Sequence, residues 1–138
     1  MFAGVILFAL LTARPDAQPP EVPSEKAVRT VAQEKINSQL LYEIYRKRGE
    51  AESKHVPPEP TLVRVDGEGR ALVDIRAEAT NGLLRTVVRA GGVVISVSAR
   101  DRSVIARVPL LKLETLAADP AVRFIEPAAE AAMHREPR

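Results

Sequence analysis

The side chains that could do chemistry in this 138-residue chain are few and widely separated. A serine hydrolase needs a nucleophile, a histidine base and an orienting acid, yet the only histidines are His55, in a proline-rich stretch, and His134, near the last residue. Ser96, Ser98 and Ser103 lie on or beside predicted strands, without the strained turn that exposes a nucleophile. We expect these serines to face solvent, and we expect the chain not to be an enzyme.

Metal and cofactor chemistry is equally unsupported by the residue types. The chain has no cysteine, which excludes disulfides and thiolate ligands, and no histidine pair has the spacing of a zinc site. Gly67 and Gly69 resemble half of a phosphate loop, but no lysine follows at the required distance, and a hairpin turn explains them. We therefore expect no bound metal and no cofactor.

Charge and aromatic content argue against a nucleic-acid partner. The 20 basic and 18 acidic residues are interleaved along the chain, whereas nucleic-acid-binding domains concentrate positive charge on one surface. RNA-recognition modules stack bases on aromatic residues of their central strands, and the central strands predicted here contain none. Phe124 lies on the last predicted strand, where we expect it to pack in the core.

Strand and helix patterns alternate between Leu62 and Pro127 in the order strand, helix, strand, strand, helix, strand. Strand patterns cover residues 71–77, 93–97, 103–108 and 122–125, and helix patterns cover residues 81–90 and 109–118. We also expect Leu62 to begin a short edge strand, and Val93, Ile95 and Val97 to share one side of theirs. The order predicts an α+β fold, a ferredoxin-like βαββαβ two-layer sandwich with one sheet face uncovered by helices.

The part before this module divides into four segments by composition. We predict a signal peptide in residues 1–17, an extended leader in 18–23, an amphipathic helix in 24–49 capped by Ser24, and a Pro-rich linker in 50–61. The signal peptide predicts a secreted or periplasmic protein without a stable membrane span. No Lys or Arg precedes the apolar run, so a buried or disordered apolar end is the alternative. The helix stripe either packs on the following domain, which we favour, or binds a partner or a membrane surface.

The most distinctive sequence motif lies at the second predicted helix and the last predicted strand. It consists of Leu110, Leu113 and Leu116, followed by Asp119-Pro120-Ala121-Val122-Arg123-Phe124-Ile125-Glu126-Pro127. This resembles the end of the propeptides of subtilisin-like serine proteases, and the likeness extends back with decreasing specificity to about Val63. The resemblance implies a domain that packs its open sheet face on a protease, inhibits it and acts as an intramolecular chaperone.

The resemblance also implies a set of protease-binding residues. Glu126 matches an acidic residue that caps a protease helix, while Ala128 departs from the family, which often has a second acidic residue there. The tail, residues 128–138, would lie in the active-site cleft. The implied contact residues are Glu126, Pro127, Glu130, Ala131, Ala132, Met133 and His134.

The Asp, His and Ser motifs of the protease itself are missing from the chain. We therefore expect a stand-alone inhibitor, a propeptide separated from a protease encoded in the same or an adjacent reading frame, or a sheet domain repurposed for another partner. The alternative from a different class is a regulatory module that binds a small ligand such as an amino acid and dimerises through its sheet. Gly91 and Gly92 would then lie near the ligand rather than only end a helix.

Overall fold

The computed structural model describes Pro20 and residues 24–129, and its centre is one antiparallel sheet. The strands are β1 (Arg70–Ala77), β2 (Val93–Ser98), β3 (Ser103–Pro109) and β4 (Val122–Pro127). They lie side by side in the order β2-β3-β1-β4, and every neighbouring pair is antiparallel. The α-helices are α1 (Val31–Glu34), α2 (Ser38–Arg48), α3 (Asn81–Arg89) and α4 (Leu113–Ala117). The predicted α+β class with a four-stranded antiparallel sheet is confirmed.

The core forms between one face of this sheet and the helices. Successive strand side chains point to opposite faces, and in the central strand β1 the core-facing residues are at odd positions. The core residues of the sheet are Ala71, Val73, Ile75, Ala77, Val104, Ala106, Val108, Val122 and Ile125. In β3 the side chains of Val104, Ala106 and Val108 face this core, while Ser103, Ile105 and Arg107 lie on the other face.

The two helices of the predicted module begin and end at the residues that favour those positions. The side chain of Thr80 accepts a hydrogen bond from the Leu83 amide at 3.2 Å, which makes Thr80 the N-cap of α3. Pro109 closes β3 and leads into a 3₁₀ turn, Leu110–Lys112, that continues as α4. Helix α4 ends at Ala117, two residues before the Asp119-Pro120 sequence, and a residue that precedes proline disfavours the helical conformation.

The N-terminal segment differs from the single helix predicted for residues 24–49. The structure has a 3₁₀ turn at Glu25–Val28, then α1, a break, and α2. Ser24 makes no side-chain cap, whereas Thr30 forms a capping box for α1 and Asn37 caps α2.

The break between α1 and α2 has a specific cause. Ile36 pairs with Ile125 in a parallel bridge. The Ile125 amide donates to the Lys35 carbonyl at 2.8 Å, and the Asn37 amide donates to the Ile125 carbonyl at 2.9 Å. A helix could not offer these backbone groups to a strand, so the chain leaves the helical conformation for three residues and forms a single parallel bridge to β4.

The apolar stripe of this segment belongs to the same core as the sheet. Its buried members are Ile36, Leu40, Leu41, Ile44 and Tyr45. By contrast, Val28, in the 3₁₀ turn that precedes α1, is 52% exposed. The interpretation in which the stripe packs on the following domain agrees with this arrangement.

An ion pair joins α2 to α4 outside the core. The Arg48 guanidinium donates to Glu114 at 2.7 Å, and the Gln33 amide donates to the same carboxylate at 2.7 Å. Burial alone would raise the pKa of Glu114, but the hydrogen bonds from Arg48 and Gln33 outweigh it and hold that pKa below its usual value.

Residues 50–61, predicted as a linker, are attached to the domain. The Arg46 guanidinium donates to the carbonyls of Pro57 and Glu59, both at 2.7 Å, and the Thr61 hydroxyl donates to Glu43 at 2.5 Å. Val56 packs against the core. The proline-rich stretch therefore continues the packed structure rather than separating two parts.

Two predictions about strands were wrong. The expected edge strand at Leu62 does not form, because only Val65 pairs, in an isolated bridge with Ala71. A register shift between Val94 and Ser96 interrupts the alternation in β2, so that Val93 pairs with Arg107 on the outer face while Val97 pairs with Val104 on the core face. Val93 and Val97 therefore do not share a side.

The glycine pair after α3 is explained by packing. Gly91 has a φ of +86°, the left-handed conformation that commonly ends a helix. A Cβ on Gly92 would lie 2.8 Å from both the Val87 carbonyl oxygen and the Val87 Cγ1, and 3.2 Å from the Arg107 carbonyl oxygen. These glycines let the helix approach β3 closely, and no ligand is needed to account for them.

Replacing Leu40 with alanine tests whether α2 is part of the domain core. Leu40 is fully buried, and such truncations lower the free energy of unfolding by about 2–5 kcal/mol. Val31→Ala serves as the control because Val31 is 75% exposed and should change stability by less than about 0.5 kcal/mol. Urea unfolding of the full chain measures both. Equal effects of the two substitutions would contradict the packing described.

Gly92→Ala tests the close approach of α3 to β3. The added methyl group meets two backbone oxygens that cannot move away cheaply, so we expect a loss of about 1–3 kcal/mol. Gly67→Ala is the control, since a Cβ there meets nothing within 4 Å. Thermal unfolding with and without a mixture of free amino acids measures the change. Stabilisation of the original protein by the amino acids would instead favour the ligand-binding alternative.

Candidate functional site

No helix covers the second face of the sheet in the part of the chain that the structure describes. We call this surface the open face; it is formed by the outward residues of the four strands, because residues directly opposite on paired strands share a face. Its members are Leu72, Asp74, Arg76, Val93, Ser96, Ser98, Ser103, Ile105, Arg107, Phe124 and Glu126. Antiparallel sheets commonly leave one face without covering helices, although Leu72, Ser103 and Ile105 on this face are themselves buried.

An arginine lies between two carboxylates at the centre of this face. The Arg76 guanidinium donates to Glu126 Oε1 through Nη2 at 2.9 Å and through Nε at 3.1 Å. Its Nη2 also lies 3.1 Å from Asp74 Oδ2. The hydrogen bond to Glu126, followed by the charge of Asp74, raises the pKa of Arg76, which therefore stays charged.

Both contacts from Arg76 reach the same oxygen of Glu126. Oε2 of that carboxylate accepts no hydrogen bond from the described residues. The Glu126 side chain is 36% exposed. The carboxylate is therefore oriented by one oxygen, and the other is available to an incoming donor.

Ser103 extends this network toward β3 and corrects an expectation. It was predicted to face solvent, but only 7% of the residue is exposed. Its hydroxyl donates to Asp74 Oδ1 at 2.6 Å, so Asp74 is held from one side by Ser103 and from the other by Arg76. Ser98 donates to Asp101 at 2.7 Å in the turn after β2, and only Ser96 of the three serines is fully exposed.

The apolar part of the open face is small. Leu72 and Ile105 lie on it but are only 5% and 8% exposed, so Val93, which is 47% exposed at the β2 edge, is its most accessible aliphatic side chain. Phe124, predicted to be a core residue, pairs instead with Arg76 on this face and is half-buried, because β4 turns its Val122 and Ile125 side chains to the core. The accessible surface is consequently dominated by charged and polar groups.

The chain leaves the sheet at one corner of the open face. Pro127 is the last residue of β4, opposite Val73, and the Ala128 amide then donates to the Leu72 carbonyl at 3.1 Å. A cleft of about 160 Å³ lies at this corner between the end of β4 and residues 62–72; its lining includes Leu62, Arg64, Leu72, Pro127, Ala128 and Ala129. Of the predicted contact residues, Glu126 and Pro127 are therefore next to each other at the start of the tail.

The remaining predicted contact residues, Glu130, Ala131, Ala132, Met133 and His134, lie outside the described residues, as does the predicted signal peptide. The sequence pointed to Glu126 but not to its partners Arg76, Asp74 and Ser103. The signal that could have found them is cross-strand register. Asp74 and Arg76 lie two positions apart on one strand, as Phe124 and Glu126 do on another, and the register places Asp74 opposite Glu126 and Arg76 opposite Phe124.

The described residues include one histidine, and they form no metal-binding cluster. His55 is exposed in the turn after α2, far along the chain from the serines of the sheet, and no group of three or more His, Asp or Glu side chains there could hold a metal ion. Within the same residues no helix has the length and hydropathy needed to cross a bilayer.

Comparison of the chain with protein-family models, with curated proteins and with solved structures gives no match.

Ser103→Ala measures how strongly Asp74 is held on the open face. The substitution removes a short hydrogen bond to a carboxylate, which is worth about 1.5–3 kcal/mol of unfolding free energy. Ser96→Ala, on the exposed strand next to it, should change stability by less than about 0.5 kcal/mol. Chemical denaturation of both variants gives the two values. If Ser103→Ala were as neutral as Ser96→Ala, the network would not hold Asp74.

Proposed function

We propose that this chain is a protease-binding, propeptide-like domain that inhibits a subtilisin-like serine protease and assists its folding. The observation that carries the proposal is Glu126: Arg76 holds it on a sheet face without helices, one residue before the strand ends and the tail begins. The sequence motif from Leu110 to Pro127 supports the same assignment, since it resembles the end of such propeptides. The partner protease is a secreted or periplasmic enzyme.

The open face offers the partner a flat and largely polar surface. Specific protein interfaces bury about 800 Å² on each side, and their rims are polar while their centres are depleted of charge. Here the half-buried Phe124 would provide apolar contact with the partner, and the neighbouring Arg76–Glu126 ion pair would fix the orientation in which the partner binds. Because Leu72 and Ile105 are already withdrawn from solvent, we expect affinity to depend on polar complementarity more than on apolar burial.

Glu126 is the residue that would select a helical surface on the protease. The amides of the first turn of a helix have no partner within the helix, and a carboxylate placed there gains from both hydrogen bonds and the helix dipole. The unengaged Oε2 of Glu126 suits this role, while the bond from Arg76 to Oε1 fixes its direction.

The tail would carry the inhibition. It leaves the sheet beside the open face, so a partner bound there lies within reach of it. Fully extended, the eleven residues from 128 to 138 span about 36–40 Å, which is enough to cross the face of a protease domain. Small residues such as Ala131 and Ala132 would suit a chain that passes through a substrate groove.

Glu126→Gln in the full chain tests the proposal. Gln keeps the shape but removes the negative charge that a helix terminus favours, so we expect the inhibition constant against a susceptible subtilisin-class protease to rise about tenfold to a hundredfold, the equivalent of one charged hydrogen bond. Initial rates with a chromogenic peptide substrate measure it.

Glu78→Gln is the matched control for this experiment. Glu78 is an exposed carboxylate just after β1 that pairs with Arg102 and Arg123, so its removal should leave inhibition unchanged. The thermal midpoints of both variants establish that the fold is intact. Absence of inhibition by the original chain across several subtilisin-class proteases, or equal losses in the two variants, would contradict the proposed function.

A further inference from the structure

The two edges of the sheet are treated differently. On one side, β4 is covered in its middle by Ile36, through the backbone bonds of residues 35–37 to Ile125. On the other side, β2 pairs with β3 alone, and no described residue pairs with its outer side. Alternate amides and carbonyls of an edge strand point away from the sheet and can pair with another chain.

The uncovered strand lacks the charges and prolines that protect many edges. Natural edge strands carry charges, especially lysine, or prolines that discourage pairing. Strand β2 reads Val-Val-Ile-Ser-Val-Ser and has neither. Val93 and Val97 are 47% and 46% exposed, and Ile95 between them is also exposed. The register shift after Val94 twists the strand, but it leaves Ser96, Val97 and Ser98 in regular pairing with β3.

Helix α3 extends this apolar surface. It packs against β2 and is joined to it by the tight glycine turn. Its outer side carries a shallow depression of about 430 Å³ lined by Asn81, Leu84, Arg85, Val88 and Arg89. Val88 is 61% exposed, and neither Arg85 nor Arg89 forms an ion pair with any residue that the structure describes.

The charge of this region is one-sided. Helix α3 carries Arg85 and Arg89 and no acidic residue, although the whole chain has a net charge of only +2. Two copies of the chain brought together at this edge would place like charges against each other, which disfavours a dimer. A lipid surface could accept the valines and arginines but could not satisfy the outward backbone groups of β2. An acidic polypeptide satisfies both the charge and the backbone.

We propose that the outer edge of β2, together with the exposed side of α3, binds an extended segment of a partner protein in which a short apolar run is flanked by acidic residues. The segment adds a fifth full strand to the sheet by backbone hydrogen bonds, as in other cases of β-strand addition. Its apolar side chains contact Val97, Leu84 and Val88, and its acidic residues pair with Arg85 and Arg89. This surface is separate from Glu126 on the opposite half of the sheet and does not depend on protease binding.

A synthetic peptide tests the proposal in the full chain. The probe is fluorescein-labelled Glu-Glu-Val-Ile-Val-Glu-Glu with blocked ends, and fluorescence anisotropy measures its binding. We expect saturable binding that weakens with salt, no binding of the analogue with lysine in place of glutamate, and no binding of the analogue with its three central backbone nitrogens methylated. Loss of binding on N-methylation distinguishes strand addition from attraction of charge alone.

Substitutions locate the site. Arg85→Gln and Arg89→Gln should each weaken binding about twofold to fivefold, the size of an exposed ion pair. Arg123→Gln is the matched control, because Arg123 is an exposed arginine on the opposite edge strand, 58% accessible, and its substitution should change nothing.

Four results would overturn the proposal: no binding of the acidic peptide at millimolar concentration, equal binding of the N-methylated peptide, equal losses in Arg123→Gln and Arg89→Gln, or tighter binding to phosphatidylglycerol vesicles than to the peptide. Concentration-dependent dimerisation in sedimentation experiments, suppressed by a charge placed at Val97, would also overturn it and assign the edge to a second copy.

Discussion

The central strand β1 is the constraint on which the rest of the structure depends. It is paired on both sides, with β3 and with β4, and its side chains alternate between the two faces of the sheet. Val73 and Ile75 face the helices, while Asp74 and Arg76 face outward. A shift of register by one residue would bury the charged pair and expose the core. Core and candidate site are thus specified together.

The N-terminal segment, residues 24–49, completes the hydrophobic core that the sheet and the helices α3 and α4 form only in part. Helix α4 has only five residues and α3 has nine, and helices of this length are not stable by themselves. The segment adds five large buried side chains to the core, among them Leu41 and Tyr45. Burial, and then the charge of Glu25, raise the pKa of Tyr45 to about 12, and the phenol donates to that carboxylate. The domain that folds therefore extends back well before Leu62.

The sequence patterns predicted the elements whose periodicity reports burial on one side. The alternation around Val104 and the leucine spacing of α4 were sufficient, because only one face of each element meets the core. They failed where a long-range contact decides the local conformation. Nothing in the helical periodicity around Ile36 indicates that its backbone pairs with Ile125, nearly ninety positions away. The shift inside β2 is likewise invisible in a run of β-branched residues that fits either face.

The same limit applies to the candidate site. The sequence motif around Glu126 was enough to select this residue as a candidate. The orientation of its side chain, however, depends on Arg76, which lies fifty positions earlier in the chain. Oppositely charged residues at matching positions of two strands predict a contact only when the strand order is known. Family resemblance located one residue of the network, whereas the fold located the other three.

The grip on β4 from two sides has a mechanical consequence. The strand is bonded to β1 along one edge and to residues 35–37 along the other, and the tail continues directly from its end. A force that pulls on the end of β4 therefore acts on the hydrogen bonds to β1 and on those to residues 35–37 at the same time, and both sets must break before the strand can move. Tension applied to the end of β4 is therefore transmitted through residues 35–37 to α1 and α2.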